Sequence, residues 1–395
     1  MRKKVLLFVI TLLGNFPIIS AQSDRYCAKT ESENFADTIR FEFIKNKLIV
    51  PIIVDGVSKR YVFDTGAGTM IHSNFSKNMQ YPLLRKDVLN DANGNRDSIE
   101  IVNIPELEIG TVKFKNIPVG VCDMPAFFDC LSIDGIIGSN ILTELIIKID
   151  TKNKYIIITD RKGFFAKDKG YSTPMRTDGQ NMPLIKISPF KKVKEEVLFD
   201  TGDSDFYSLS SRNFLYFKSK VKMNSYIIDS VSGVGTYSLL GLENESMKYL
   251  IHTNDFQINN MIFSNLYLAT TSNIGSRIGA DILNYGSVIL DFANHLFTFI
   301  PHEEYSKGRS ISTSNSHYDF TFVSENGNLR IGMIFESSES YKMGLRKGDS
   351  VISINGVDIK NICDVYLIDY RSSDYTTITV ITKDNLKKEY TVKNK

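Results

Sequence analysis

At 395 residues the chain is long enough for two or three domains, each with its own core. Its 47 lysines and arginines stand against 45 aspartates and glutamates, a net charge of +2 that excludes a general electrostatic affinity for nucleic acid. Five scattered histidines and four cysteines without a Cys-x-x-Cys pair argue against a zinc site, and no motif calls for a metal or another cofactor.

Residues 1–21 form a separate unit. Arg2-Lys3-Lys4 is a basic start, residues 5–19 are an apolar run interrupted by Gly14-Asn15-Phe16-Pro17, and Ile19-Ser20-Ala21 offers small residues before a cut at Gln22. That is the pattern of a cleaved signal peptide. The uninterrupted apolar stretch falls short of the roughly 20 residues a membrane span needs. Export to the periplasm or beyond is therefore expected, with no stable span after cleavage. Export permits disulfides among Cys27, Cys122, Cys130 and Cys363. Cys122 and Cys130 are close enough in sequence to close a loop, but three connectivities exist and the sequence does not choose among them.

Residues 23–35 are polar and read as a loosely held lead-in. Short runs rich in Val, Ile, Phe and Tyr follow at residues 48–54, 60–63, 99–104, 113–121, 146–149 and 155–159, broken by glycine and asparagine. This is an all-β signature. The organising feature is a repeat. Tyr61-Val62-Phe63-Asp64-Thr65-Gly66-Ala67-Gly68 returns as Val197-Leu198-Phe199-Asp200-Thr201-Gly202. Ile137-Gly138-Ser139-Asn140-Ile141-Leu142 returns as Ile278-Gly279-Ala280-Asp281-Ile282-Leu283, displaced by nearly the same interval. An apolar strand then runs into Asp150 in the first copy and Asp291 in the second. Two similar β-lobes are expected, at residues 36–163 and 164–304. A polar, serine-rich linker is expected at 305–318, and a third unit at 319–395.

A lone Asp-Thr-Gly is a good turn, and about one chain in ten of this length would carry one by chance. Two copies, each behind an apolar strand and each at the same place in a long repeat, point to one shared site. Two carboxylates about 3 Å apart cannot both ionise, so they share a proton. One then accepts a proton from water while the other donates to a carbonyl oxygen. Gly66 and Gly202 permit close approach of two facing turns, and the Thr65 and Thr201 hydroxyls are able to bond the opposite loop.

On these residues the repeat resembles the pepsin/retropepsin family of aspartic peptidases, whose lobes each carry an Asp-Thr/Ser-Gly loop backed by two apolar residues and a glycine. Ile136-Ile137-Gly138 fits that second element; Arg277-Ile278-Gly279 departs from it. The resemblance extends over both expected lobes, residues 36–304, and implies a mainly β, bilobal double barrel. It implies Asp64 and Asp200 as catalytic dyad, Thr65, Gly66, Thr201 and Gly202 as loop support, a polypeptide substrate, and a monomer without a cofactor. Asp203 follows the second motif; it either adds charge beside the dyad or caps a turn facing away from the cleft. A covering flap is expected at Asn93-Gly94-Asn95, with a counterpart at Ser232-Gly233-Val234-Gly235-Thr236. In the third unit Met343-Gly344-Leu345-Arg346-Lys347-Gly348-Asp349, with Asn355-Gly356, is similar to bacterial PDZ domains. That resemblance implies either binding of a peptide C-terminus or a structural module. The rival to a peptidase is a catalytically silent peptide-binding or envelope scaffold protein.

Overall fold

The computed structural model describes residues 28–76, 80–314, 319–325, 327–368 and 373–393. The expected signal-peptide segment, Cys27 and part of the 305–318 stretch lie outside these. The chain is mainly β. A nine-stranded sheet is built wholly from the first half, and a sixteen-stranded sheet holds most of the second half together with three strands of the first.

In the first sheet the strands Lys47–Val54 and Val57–Phe63 form an antiparallel hairpin. Gly135–Ile137 lies parallel to the second of them, pairing Ile136 with Val62 and Ile137 with Phe63. The second half repeats this arrangement. Pro183–Ser188 pairs antiparallel with Glu195–Phe199, and Arg277–Ile278 lies parallel to it, pairing Arg277 with Leu198 and Ile278 with Phe199. The halves join along the third repeated element. Ile146–Asp150 and Gly286–Asp291 pair antiparallel, Ile147 opposite Leu290 and Ile149 opposite Val288. Both strands are almost wholly buried, as their unbroken apolar runs require. Asp150 and Asp291, which end them, each accept the backbone N–H of an asparagine three residues on, Asn153 and Asn294, at 2.9 Å. These two repeated carboxylates hold turns.

Two long hairpins end the strand order of the two sheets. Hairpin I is Leu83–Asn90 with Arg96–Ile109, and hairpin II is Ile227–Gly233 with Ser246–Thr253. A separate sheet of six short strands forms the C-terminal unit. There Asn355 and Gly356, at φ 50° and 75°, make the tight turn between Ser350–Ile354 and Val357–Asp358. The helix Ile362–Leu367 starts on a reciprocal cap between Asn361 and Asp364, shorter than the 358–370 span that the sequence suggests.

Three expectations need correction. The described part of the lead-in is held, because Ala28 N–H bonds the Asn140 carbonyl at 3.0 Å and Lys29–Thr30 pairs with the strand Val112–Cys122. The serine-rich connection is not wholly a linker, since Ser310–Ser312 adds a parallel strand beside Met261–Ser264 and buries Ile311. Nor do Cys122 and Cys130 close a loop. Cys130 bonds Cys363 across 233 residues, while Cys122 is a buried thiol whose burial pushes its pKa up to about 12. Cys122 ends the strand Val112–Cys122 and is buried in the same apolar cluster as Phe127 and Phe128 of the short helix Ala126–Cys130, while Cys130 is committed to Cys363.

Candidate active site

Each Asp-Thr-Gly turn leaves the end of a strand whose apolar side chains are anchored in the core, Phe63 on one side and Phe199 on the other. The parallel neighbours fix both exits alike. Asp64 N–H bonds the Ile137 carbonyl at 2.9 Å and Asp200 N–H bonds the Ile278 carbonyl at 2.8 Å. The two turns then meet face to face. Thr65 Oγ1 donates to the Phe199 carbonyl at 2.6 Å, and Thr201 Oγ1 donates to the Phe63 carbonyl at 2.8 Å. Each hydroxyl also accepts the other threonine's backbone N–H, both at 3.1 Å. Both threonines are fully buried, so every polar group in this lattice is satisfied only by the opposite half.

The lattice brings the carboxyl groups together. Gly66 N–H donates to Asp64 Oδ1 at 2.8 Å, and Gly202 N–H donates to Asp200 Oδ1 at 2.9 Å. A Cβ at Gly66 would fall inside the Asp200 carboxyl group, and one at Gly202 inside that of Asp64. Only glycine allows the approach. The two carboxyl groups hydrogen-bond each other. Burial, then the negative charge of Asp200 and that hydrogen bond, raise the Asp64 pKa well above the ordinary carboxylate range. The pair therefore shares one proton between its two carboxyl groups.

Two cations flank the pair, and the sequence reading assigned a role to neither. Arg277 Nη1 donates to Asp200 Oδ2 at 2.8 Å, with Nε 4.0 Å from Asp203. Arg277 stands where the first half has Ile136, so its departure from the repeat was visible while its target was not. Burial opposes its charge, but Asp200 and Asp203 outweigh that and raise its pKa further. Lys47 reaches across from the first half to donate to the Gly202 carbonyl, and its charge acts on Asp64. A lysine opening a strand carries no sequence mark of such a role.

Asp203 does both things the sequence allowed. Its Oδ1 accepts the Asp205 N–H at 2.9 Å, which caps the turn, and its Oδ2 accepts Ser208 Oγ at 2.6 Å on the side facing Arg277. Burial first, then the charge of Asp205, push its pKa up to about 6 against the pull of Arg277. Among the described residues no group of His, Cys, Asp and Glu is placed to hold a metal ion.

Asn93, Gly94 and Asn95 sit at the tip of hairpin I. Asp91 shapes the tip by accepting Asn95 N–H at 2.8 Å, and Gly94 has φ 84°. The predicted counterpart, residues 232–236, leads into the tip of hairpin II, residues 237–242, and the two tips touch. Asn93 Nδ2 donates to the Gly241 carbonyl at 3.2 Å, Asn95 Nδ2 to the Leu242 carbonyl at 3.3 Å, and Ala92 N–H to Ser238 Oγ at 3.0 Å.

With this geometry in view, comparison with known proteins adds a partial match. A family model described as aspartyl protease matches residues 50–141, the stretch that carries Asp64-Thr65-Gly66 and Ile136-Ile137-Gly138. Asp200 and its surroundings lie outside that match. No curated protein matches the chain. Among solved structures, the aspartic proteinase from Irpex lacteus aligns at 12% identity and TM-score 0.42, over 70% of this chain and 100% of that one. Basic 7S globulin from soybean aligns at 10% identity and TM-score 0.40, over 70% of this chain and 97% of that one.

Removing either buried hydroxyl strands a carbonyl and an N–H on the opposite half. Thr201→Val is expected to cost about 2–4 kcal/mol in urea unfolding, with Thr201→Ser recovering most of it. Asp203 supplies a pH test. Its pKa rises from 3.8 to about 6 on folding, so its contribution is full below about 4 and is lost as pH climbs through 6. Asp203→Asn should leave thermal stability nearly unchanged at about pH 3 and raise it at about pH 7.5, by up to about 2–3 kcal/mol.

Proposed function

We propose that the chain is an aspartic peptidase that cleaves extended polypeptide with Asp64 and Asp200. The observation behind this is the reciprocal threonine lattice, which presses two carboxyl groups into one hydrogen-bonded, proton-sharing pair. Asp200, facing the Arg277 guanidinium, takes a proton from water as the water oxygen attacks the peptide carbonyl. Asp64 delivers its proton to the carbonyl oxygen, giving a gem-diol. As the C–N bond breaks, Asp200 passes its proton to the leaving nitrogen and the gem-diol returns one to Asp64. Arg277 is a positioning residue in this scheme. It supplies a fixed positive charge on one side of the pair, so the two carboxyls begin with different tasks.

The fold we read around this site is bilobal, each repeat forming a lobe, with endopeptidase action on a chain lying beneath the two hairpins. Residues 1–21 act as an export signal, and the mature protein works as a monomer. The C-terminal unit is PDZ-like, with its Asn355-Gly356 turn and Gly344-to-Asp349 segment, and serves either to receive a peptide end or as a structural module. A second reading has one observation in its favour: the Arg277 guanidinium already occupies an oxygen of Asp200, as in a silent binding protein that keeps the cleft.

An assay on a denatured protein substrate, scanned from about pH 3 to 7, decides between them. Asp64→Ala and Asp200→Ala should each lower kcat by at least about a thousandfold; no turnover by the unaltered chain would select the binding reading. Arg277→Met removes a positive charge from beside the pair, so both limbs of the bell-shaped rate profile should move to higher pH, with Arg277→Lys restoring part of the shift. A profile that keeps its position would remove Arg277 from the mechanism.

A further inference from the structure

Hairpin II does more than meet hairpin I. Its tip, residues 237–242, crosses to the first half, where Leu239 packs against an apolar cluster containing Met70, Ile99, Ile101, Phe127 and Ile136, with Ala67 and Leu89 at its edge. Val62, two residues before Asp64, belongs to this cluster and Ala67, three residues after it, packs on its edge, while Ile99 and Ile101 come from hairpin I itself. A substrate side chain held over Asp64 would need the same surface. Leu240 N–H, in the hairpin II tip, donates to Asp91 Oδ2 at 3.1 Å, and the loop after the strand Leu266–Thr271 adds Ile274 N–H to the Ala92 carbonyl at 3.0 Å. The shape of the hairpin II tip is set from inside. Glu243 is buried, accepts Gly235 N–H at 2.8 Å, Thr236 N–H at 3.1 Å and Ser272 N–H at 2.9 Å, and pairs with the buried Lys248.

The C-terminal unit grips hairpin II along its length. Tyr237 Oη donates to the Ser324 carbonyl at 2.8 Å and accepts the Ser324 N–H at 2.6 Å. Val234 N–H bonds the Gly332 carbonyl at 3.4 Å, and Ser337 N–H bonds Asp229 Oδ2 at 2.8 Å. Lys347 pairs with Glu245 at 2.6 Å, and Met333 and Phe335 pack on Leu250 and Val231. The other side of the same unit is fastened to the first half. Cys363, on the helix Ile362–Leu367, is bonded to Cys130, the Tyr366 ring packs edge-on against Phe127 at 5.3 Å, and Lys45 Nζ donates to the Ile368 carbonyl at 2.7 Å. Hairpin II cannot lift from the first half without moving a unit that is covalently tied to that half.

We propose that the C-terminal unit, tethered through Cys130–Cys363, is an autoinhibitory latch that keeps Leu239 seated in the apolar subsite beside Asp64. Substrate gains this subsite when hairpin II lifts, so apparent affinity is reduced by the fraction of molecules in which the latch is closed. The proposal rests on the peptidase reading for its consequence in turnover, but not for its structural content.

Two readouts on the full chain separate these. Amide hydrogen exchange at Ala92, Gly235 and Leu240 reports the latch without reference to catalysis. Turnover of a denatured protein substrate reports its effect. Cys363→Ser should raise exchange at all three amides and increase kcat/KM by about tenfold or more. Tyr237→Phe, which keeps the disulfide and serves if the cysteine variant folds poorly, should change both in the same direction by a smaller factor. Leu239→Ser should raise kcat/KM with the tether intact. Unchanged exchange in Cys363→Ser and Tyr237→Phe would overturn the latch, and so would raised exchange with turnover unchanged in an active enzyme. Raised exchange with no turnover by any variant, the unaltered chain included, would support the latch and overturn the peptidase reading.

Discussion

Two carboxyl groups pressed together and withdrawn from water are the constraint that the rest of this structure serves. Ionised together, they would repel at hydrogen-bond distance in a medium that screens poorly. The fold answers in three ways. It leaves one proton on the pair, seen in the raised pKa of Asp64. It supplies backbone N–H donors from Gly66 and Gly202. It also sets Arg277 on one flank and Lys47 near the other. None of this holds unless the turns are rigid. The rigidity comes from four hydrogen bonds between two threonines and the backbone of the opposite half. The interface between halves and the chemistry of the site are therefore the same set of atoms.

The repeat is nearly symmetric in its backbone and unequal in its side chains. Ile136 and Arg277 take equivalent places, each parallel to the strand that delivers an aspartate. Their antiparallel neighbours differ in the same sense, Met70 beside Ile136 and Ser208 beside Arg277. Beside Asp64 the strand pair is apolar, Ile136 and Met70, while beside Asp200 it carries a polar network of Arg277, Asp203 and Ser208. A symmetric pair of loops gives two carboxyls in one place; the unequal flanks give them different charges to work with.

How far the sequence revealed this follows from the range of each interaction. Asp64 and Asp200 were legible because each lies in a motif that is local, apolar on one side and glycine-terminated on the other, and because the motif occurs twice. Asp150 and Asp291 repeat just as faithfully, yet each holds a turn by accepting the backbone and side-chain N–H groups of an asparagine three residues on. Repetition alone marks position rather than chemistry. Arg277 was visible as a break in pattern, but its partner lies 77 residues away, and no local rule connects them. Lys47 and the Cys130–Cys363 pairing depend wholly on how distant segments pack. The sequence offered Cys122 as a neighbour for Cys130, and spacing misled because the packing of a helix 233 residues on brings Cys363 to Cys130 instead.

The joined hairpin tips draw these levels together. Hairpin tips rich in Asp, Asn, Gly and Ser are what loops at solvent boundaries usually look like, so composition marks them as turns and no more. In the fold their polar groups are spent on one another, Asp91 on Leu240, Asn93 on Gly241 and Asn95 on Leu242. Each such bond replaces one to water and so adds little net stability alone. Their effect comes from acting together with the buried Glu243–Lys248 pair and a covalent tether through a third unit. Weak contacts of this kind favour the joined state of the two tips without making it permanent.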